Sequence, residues 1–285
     1  MIKKGIITTL LMILVPIFCL TSFNCAHLNY NESNLIREKR KSVVKISGHT
    51  TIEISVTSTS ASHSAELEAD YTGTGAIIKH EDDVSFILTA AHVCGHLYED
   101  QIKKFFFFYD KKDPTMRIKA NTAIIATDID GNRHAAIQLV MHPPSDSCVF
   151  ISTRIDQPAS EISSFEPLIG ERSYNLALPR GIWGRGFIPA FEGFFLGELF
   201  TDPDRDVAAS YSIPTAPGSS GSPIYNAYGD IIGMVHSYYR SFDHLALAAT
   251  HEQISWLADI ADEAFEKNAE RYNRILKSLQ IMLDY

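Results

Sequence analysis

Residues 216–226, reading Ala-Pro-Gly-Ser-Ser-Gly-Ser-Pro-Ile-Tyr-Asn, constrain this chain more than any other stretch. Ser220 stands between Gly218 and Gly221 in a turn that runs straight into an apolar segment, so its hydroxyl is presented on a bend instead of packed in a core. Glycine accepts the backbone angles other residues resist, which lets successive N–H groups turn toward one point. Convergent donors of that kind stabilise an oxyanion during acyl transfer. An ordinary Gly/Ser/Pro surface turn has the same composition, and the rest of the chain must distinguish the two readings.

A serine hydroxyl is a weak nucleophile unless a base takes its proton and a third group orients that base. Both partners have upstream candidates. His92 ends the apolar run Phe86-Ile-Leu-Thr-Ala-Ala-His-Val-Cys94 and opens a short helical turn; Asp146 stands at the mouth of another apolar run in Val140-Met-His-Pro-Pro-Ser-Asp-Ser-Cys-Val-Phe-Ile151. The order His, Asp, Ser, carried by the texts LTAAH, HPxxD and GxSGxP, resembles the chymotrypsin-like (trypsin-fold) serine peptidases. Within them GSSGSP is more similar to the bacterial HtrA-like and glutamyl-endopeptidase branches. The resemblance runs in outline from Val43 to Ile254, and three motifs in consistent strand contexts make coincidence a poor account.

The chain opens with targeting chemistry. Lys3 and Lys4 precede an uncharged run over residues 5–23, which reads as a signal peptide or a single membrane anchor within 1–25. Ser22-Phe-Asn-Cys25 loosely matches a lipoprotein signal with Cys25 as the lipidated residue, so cleavage, lipidation and retention all stay open. Residues 26–41 are polar and end in Arg37-Glu-Lys-Arg-Lys41, a tether between membrane and domain. The catalytic part is therefore expected outside the cytoplasm.

Between 42 and 250 the pattern is that of β structure, with β-branched clusters separated by Gly, Pro and Ser turns. Val43-Val-Lys-Ile, Thr51-Ile-Glu-Ile-Ser-Val and Gly73-Thr-Gly-Ala-Ile-Ile read as strands, and residues 58–64 as the tip of a long hairpin. Phe105-Phe-Phe-Phe-Tyr109, flanked by lysines, reads as a buried strand with charged gatekeepers. The resemblance implies an all-β fold of two six-stranded antiparallel barrels, 42–155 and 156–250, with the active site between them. From 251 to 285, Ile254, Leu257, Ala261, Phe265, Tyr272, Leu279 and Met282 recur at three- and four-residue steps and predict one long amphipathic helix. The family ends in a short helix on the second barrel. This helix either docks on its own domain or offers an oligomer surface.

The net charge of −9 and the lack of a basic aromatic stripe exclude a nucleic-acid partner. No phosphate loop or Cys/His cluster appears, so no cofactor and no metal is expected. By resemblance, Gly218 and Ser220 supply the oxyanion-hole N–H groups. Pro214, Thr215, Ala216 and the segment Val235-His-Ser-Tyr238 wall the primary pocket, and that segment pairs with the substrate backbone. None of these residues is acidic, which disfavours Lys or Arg before the cut and favours a small or medium uncharged side chain, with Glu as runner-up. His236 lies one residue late relative to the glutamyl-endopeptidase histidine, and one step along a regular strand reverses the face. Ser219 replaces the aspartate that pairs with a freed N-terminus in zymogen-activated members, so no activating cut is expected.

If His92 and Asp146 are hydrogen-bonded, Cys94 and Cys148, each two residues beyond its partner, approach within disulfide reach and fasten the histidine turn to the aspartate strand. Two buried free thiols are the alternative. The function implied is an exported serine endopeptidase acting through an acyl-enzyme; the alternative is a catalytically silent, membrane-tethered binding module on the same fold.

Overall fold

The computed structural model describes residues 33–57, 62–94, 116–200, 207–239 and 244–284. The apolar run 5–23, Cys25 and the Phe105–Tyr109 segment lie outside them. Residues 33–38 are helical, with the Arg37 guanidinium donating to Asn34 Oδ1 at 3.0 Å, so the described part of the polar segment has regular structure. Among the described residues no helix is long and apolar enough to cross a membrane.

Six antiparallel strands close the first barrel in the order β1-β2-β3-β6-β5-β4: β1 Val43–Thr57, β2 Ser62–Glu81, β3 Val84–Ala90, β4 Met116–Thr127, β5 Arg133–His142 and β6 Ser147–Thr153. β1 and β2 form the long hairpin read from the sequence, paired from Val43↔Ala76 to Thr57↔Ser62. β3 is buried along its whole length, which is why its sequence is nearly continuous in apolar residues instead of alternating. Phe86 is covered by Phe265 of the C-terminal region, and Thr89 lies against the Gly221 turn of the second half of the chain. The β3–β6 register, Thr89↔Cys148 and Ala90↔Ser147, fixes which turns meet at the barrel end.

The second barrel closes as β10-β11-β12-β9-β8-β7: β7 Arg172–Leu176, β8 Ala190–Leu199, β9 Ala208–Tyr211, β10 Pro223–Tyr225, β11 Ile231–Tyr238 and β12 Ala246–Thr250. Phe195, Tyr211, Ile213, Ile224, Ile232 and Val235 fill it, with alanines of β9 and β12 leaving room for the large rings. Tyr211 donates to the Ile232 carbonyl at 3.0 Å, and burial drives its phenol well above its ordinary pKa. Between the barrels, Ser42 Oγ lies 2.7 Å from Ser160 Oγ and 3.1 Å from Tyr225 OH, a buried hydroxyl knot. Burial there pushes the Tyr225 phenol up to about 12.

The C-terminal region departs from the single long helix predicted. It forms α1 His251–Glu266 and α2 Ala269–Asp284, broken at Lys267 and Asn268. Thr250 and Gln253 cap α1 reciprocally, each side chain accepting from the other's N–H. The Asn268 carbonyl accepts from Arg271 and Tyr272 N–H and restarts the ladder, and Phe265 and Tyr272 stack across the break at 6.2 Å. The break lets the second helix fold back onto the barrel. The pair lies mostly on the first barrel, not the second. Phe265 meets Phe86 edge-on at 5.3 Å, Asp262 pairs with Lys79 at 2.9 Å, and Gln280 Oε1 accepts from Ala135 N–H and the Thr153 hydroxyl. Ile254, Leu257, Ala261, Phe265 and Leu276 are all buried in this docking, each full burial of a large apolar side chain contributing about 1.5–3 kcal/mol.

Candidate active site

The β3–β6 register delivers two turns to the same spot. β3 ends at Ala90 and runs into a tight helical turn over Ala91–Cys94, while the chain enters β6 from a turn closed by Asp146 N–H donating to the Pro143 carbonyl at 3.1 Å. Asp146 adopts φ +48°, a left-handed angle that short carboxylate residues tolerate. Four links then join the two turns. Ala91 N–H donates to the Asp146 carbonyl at 2.9 Å, His92 N–H to Asp146 Oδ1 at 2.9 Å, and His92 Nδ1 lies 2.8 Å from Asp146 Oδ2. The fourth is the Cys94–Cys148 disulfide, with Cα atoms 6.7 Å apart.

A carboxylate only accepts, so Nδ1 carries a proton, and the tautomer selected this way has its lone pair on Nε2, on the other side of the ring. That is the tautomer a general base needs. Ser145 Oγ is bracketed by His142 Nδ1 at 2.7 Å and Ser147 Oγ at 2.6 Å, and the Trp256 ring of α1 meets the His142 ring edge-on at 5.0 Å. The helix is thereby packed against the turn that carries Asp146.

The serine turn is set by where its carbonyls go. Pro217 O accepts from Arg180 N–H at 2.6 Å, Gly218 O from the Thr74 hydroxyl at 2.8 Å, Ser219 O from Ser222 N–H at 3.0 Å and Ser220 O from Thr74 N–H at 2.8 Å. In a trans peptide the C=O and the next N–H point oppositely. Anchoring Pro217 O and Ser219 O therefore aims the N–H groups of Gly218 and Ser220 the other way, and neither has an acceptor among the described residues. Gly218 and Gly221 sit at φ +97° and +86°, angles only glycine takes freely. A Cβ on Gly221 would strike Thr74 O and Thr89 Oγ1, because β2 passes directly beneath the turn. Gly73 marks the same crossing: a Cβ there would lie 2.7 Å from Val93 and 3.2 Å from the Ser220 carbonyl. The histidine and serine turns thus flank one point of β2.

Beside Ser220 opens a cavity of about 210 Å³ lined by Thr215, Ala216, Pro217, Ser219, Val235, His236, Ser237 and Tyr238. Pro214 does not line it, contrary to expectation: Ile213 is held in the second-barrel core, and the chain reaches the cavity wall only at Thr215. The face argument against His236 also fails. The pairing steps from Val235↔Ala248 to Ser237↔Leu247, so His236 is the extra residue of a β-bulge, the alternation is interrupted and His236 stands among the residues of the wall. His236 Nδ1 lies 3.0 Å from Ser237 Oγ, and Thr215 Oγ1 is buried without a hydrogen-bond partner. β10 pairs with β11 only from Ile231 to Met234. Past that point no described strand pairs with the β10 side of residues 236–238, which leaves an open edge next to the cavity.

Thr74 and Arg180, which hold the turn in place, were not singled out from sequence. The available signal was Gly73-Thr-Gly75, since glycines on both sides of a buried strand residue mark a close backbone approach. Among the described residues no group of His, Cys, Asp and Glu is arranged to hold a metal ion.

The family model described as trypsin-like peptidase domain matches residues 73–234. The curated proteins yield no match. Solved structures are similar in fold. Rv3671c from M. tuberculosis H37Rv, a serine-to-alanine mutant in its inactive form, matches with TM-score 0.53 at 14% identity over 80% of this chain and 90% of that one. The HtrA-type protease AlgW with a decapeptide gives 0.56 at 15% identity over 82% of this chain and 67% of that one. The serine endoprotease from Yersinia pestis gives 0.53 at 15% identity over 81% of this chain and 66% of that one, so the chain spans just under two thirds of its length.

Proposed function

Because the chain belongs to the trypsin-like peptidase domain family, a serine endopeptidase fold, we propose that it hydrolyses polypeptides through an acyl-enzyme built on Ser220. The observation that carries this is the pair of N–H groups on Gly218 and Ser220, left without acceptors and aimed by anchored carbonyls, on the same β2 crossing as the His92–Asp146 pair.

Ser220 Oγ attacks the scissile carbonyl and His92 Nε2 takes its proton. The oxyanion forms against the two N–H groups, and the same proton passes to the leaving amine. Water, deprotonated by His92, then attacks the acyl-enzyme, and the proton returns from His92 to Ser220 Oγ as the acyl–Oγ bond breaks and the acid leaves. Asp146 keeps Nδ1 protonated and stabilises the imidazolium. Each oxyanion donor contributes about 3–4 kcal/mol in comparable sites. Substrate adds along the open edge of residues 236–238. No carboxylate lines the cavity, so a Lys or Arg side chain would lose hydration without gaining a counter-charge. We assign it a small or medium uncharged side chain. The apolar run near the N-terminus and the disulfide favour an oxidising, extracytoplasmic setting, with the domain secreted or tethered.

The test is a serine-directed fluorophosphonate together with a peptide library. Labelling of Ser220 and turnover that falls by about 10⁶ in Ser220→Ala or His92→Ala are expected. A protein that folds but is neither labelled nor active would be the silent binding module instead. A library profile dominated by Lys or Arg would refute the pocket assignment.

A further inference from the structure

We infer that Thr74, on the first barrel, is a positioning residue for the oxyanion hole of the second, its hydroxyl holding the peptide that follows Gly218 and, through Leu178, the segment whose Arg180 N–H aims the Gly218 N–H. The inference rests on the peptidase reading of Ser220. Gly218 has no side chain to hold it, and both of its flanking peptides could rotate. Three bonds restrain them, one of them local, from Ser219 N–H to the Ala216 carbonyl at 2.9 Å, and two from outside the turn. Arg180 N–H takes the Pro217 carbonyl, and the Thr74 hydroxyl takes the Gly218 carbonyl at 2.8 Å.

The same Thr74 oxygen accepts from Leu178 N–H at 3.2 Å, so it also ties down the segment that carries Arg180. That segment lies hard against the turn: a Cβ on Gly218 would come within 2.5 Å of Leu178 O and 3.2 Å of Arg180 N. One oxygen therefore joins the two pieces of backbone whose relative position decides where the Gly218 N–H points. The main chain of Thr74 completes the arrangement. Its N–H holds the Ser220 carbonyl at 2.8 Å, and its own carbonyl accepts the Thr89 hydroxyl at 2.7 Å from β3, the strand that ends in the histidine turn. Thr74 is fully buried, and its hydroxyl both donates and accepts, so its rotamer is fixed from two sides.

A buried threonine that merely satisfies its polar neighbours would affect stability and nothing else. A positioning role has a separate signature. The oxyanion exists only in the tetrahedral states, so a misaimed donor lowers kcat and leaves ground-state binding alone. Thr74→Val keeps the shape without the hydroxyl, Thr74→Ala removes it without placing a methyl against polar atoms, and Thr74→Ser keeps it. Each is made in the full chain and assayed for kcat, KM and thermal midpoint, and for affinity toward a peptide boronate whose tetrahedral adduct puts an oxygen in the hole.

We expect kcat and boronate affinity to fall together by about 10- to 100-fold in Val and Ala, with KM changed less than about threefold and Ser close to wild type. Thr74→Ala serves if Thr74→Val does not fold. A wild-type protein labelled at Ser220, with kcat unchanged in Val or Ala, overturns the inference and leaves the peptidase reading standing. So does a loss that tracks the thermal midpoint or appears equally in Ser. A wild-type protein that no fluorophosphonate labels removes the peptidase reading, and the inference with it.

Discussion

Replacing Cys94 and Cys148 with alanine opens a loop of 54 residues. In the chain-entropy treatment a bridge across n residues removes about 2.1 + 1.5R ln n cal/mol/K from the denatured chain, which for this loop is about 14 cal/mol/K, or about 4 kcal/mol at 25 °C. For a chain of this size each kcal/mol moves the thermal midpoint by about 2–4 °C, so a fall of about 10 °C is expected. Activity should behave differently. The Thr89↔Cys148 and Ala90↔Ser147 pairs, together with three hydrogen bonds from Ala91 and His92 to Asp146, hold the His92 geometry without the bridge. At 20 °C, where the variant remains folded, turnover should stay within about threefold of wild type, less than 1 kcal/mol in activation free energy. Calorimetry and steady-state turnover of the double variant, and of wild type with and without reductant, check both halves. Turnover lost by about 100-fold with the midpoint nearly unmoved would show that the bridge, and not the strand register, holds the pair.

Gly221→Ala and Gly170→Ala separate strain from steric overlap. Both positions have left-handed φ, +86° and +85°, but a Cβ at 221 strikes Thr74 and Thr89 while one at 170 meets nothing within 4 Å. Gly170→Ala should cost about 1–2 kcal/mol and keep activity, whereas Gly221→Ala should lose about 4 kcal/mol or more along with turnover; equal urea midpoints for the two would refute the close approach of β2. Tyr225 predicts an alkaline limit. Its phenol is raised from 10.0 to about 12, so the folded state holds the proton more tightly than the unfolded chain. Its contribution is complete below pH 10 and disappears between pH 10 and 12, at about 1.4 kcal/mol per pH unit. Urea titrations from pH 9 to 12 should show this slope reduced in Tyr225→Phe, and equal slopes in the two proteins would contradict it.

The three motifs and the strand runs around them were enough to read the barrels, because an all-buried strand such as β3 and a glycine-bracketed serine leave local marks in composition. The pairing of Cys94 with Cys148 could be reached as well, since it depends only on the His92 and Asp146 turns lying side by side. What sequence could not supply was anything decided between distant segments or by one residue of register. The bulge that sets His236 among the residues of the cavity wall reflects how β11 meets β12, and no local pattern announces it. Residues 251–284 carry a helical period throughout, yet whether that stripe forms one rod or two depends on the curved first barrel it must cover, so the break at Lys267 and Asn268 follows from docking. Thr74 reads as one more strand residue until the two barrels are brought together, as the Leu178 N–H to Thr74 bond with its separation of 104 makes plain. Chemistry that sits within a turn is written locally; the aim of that turn is set by backbone hydrogen bonds to other parts of the chain, and only the tertiary structure fixes those.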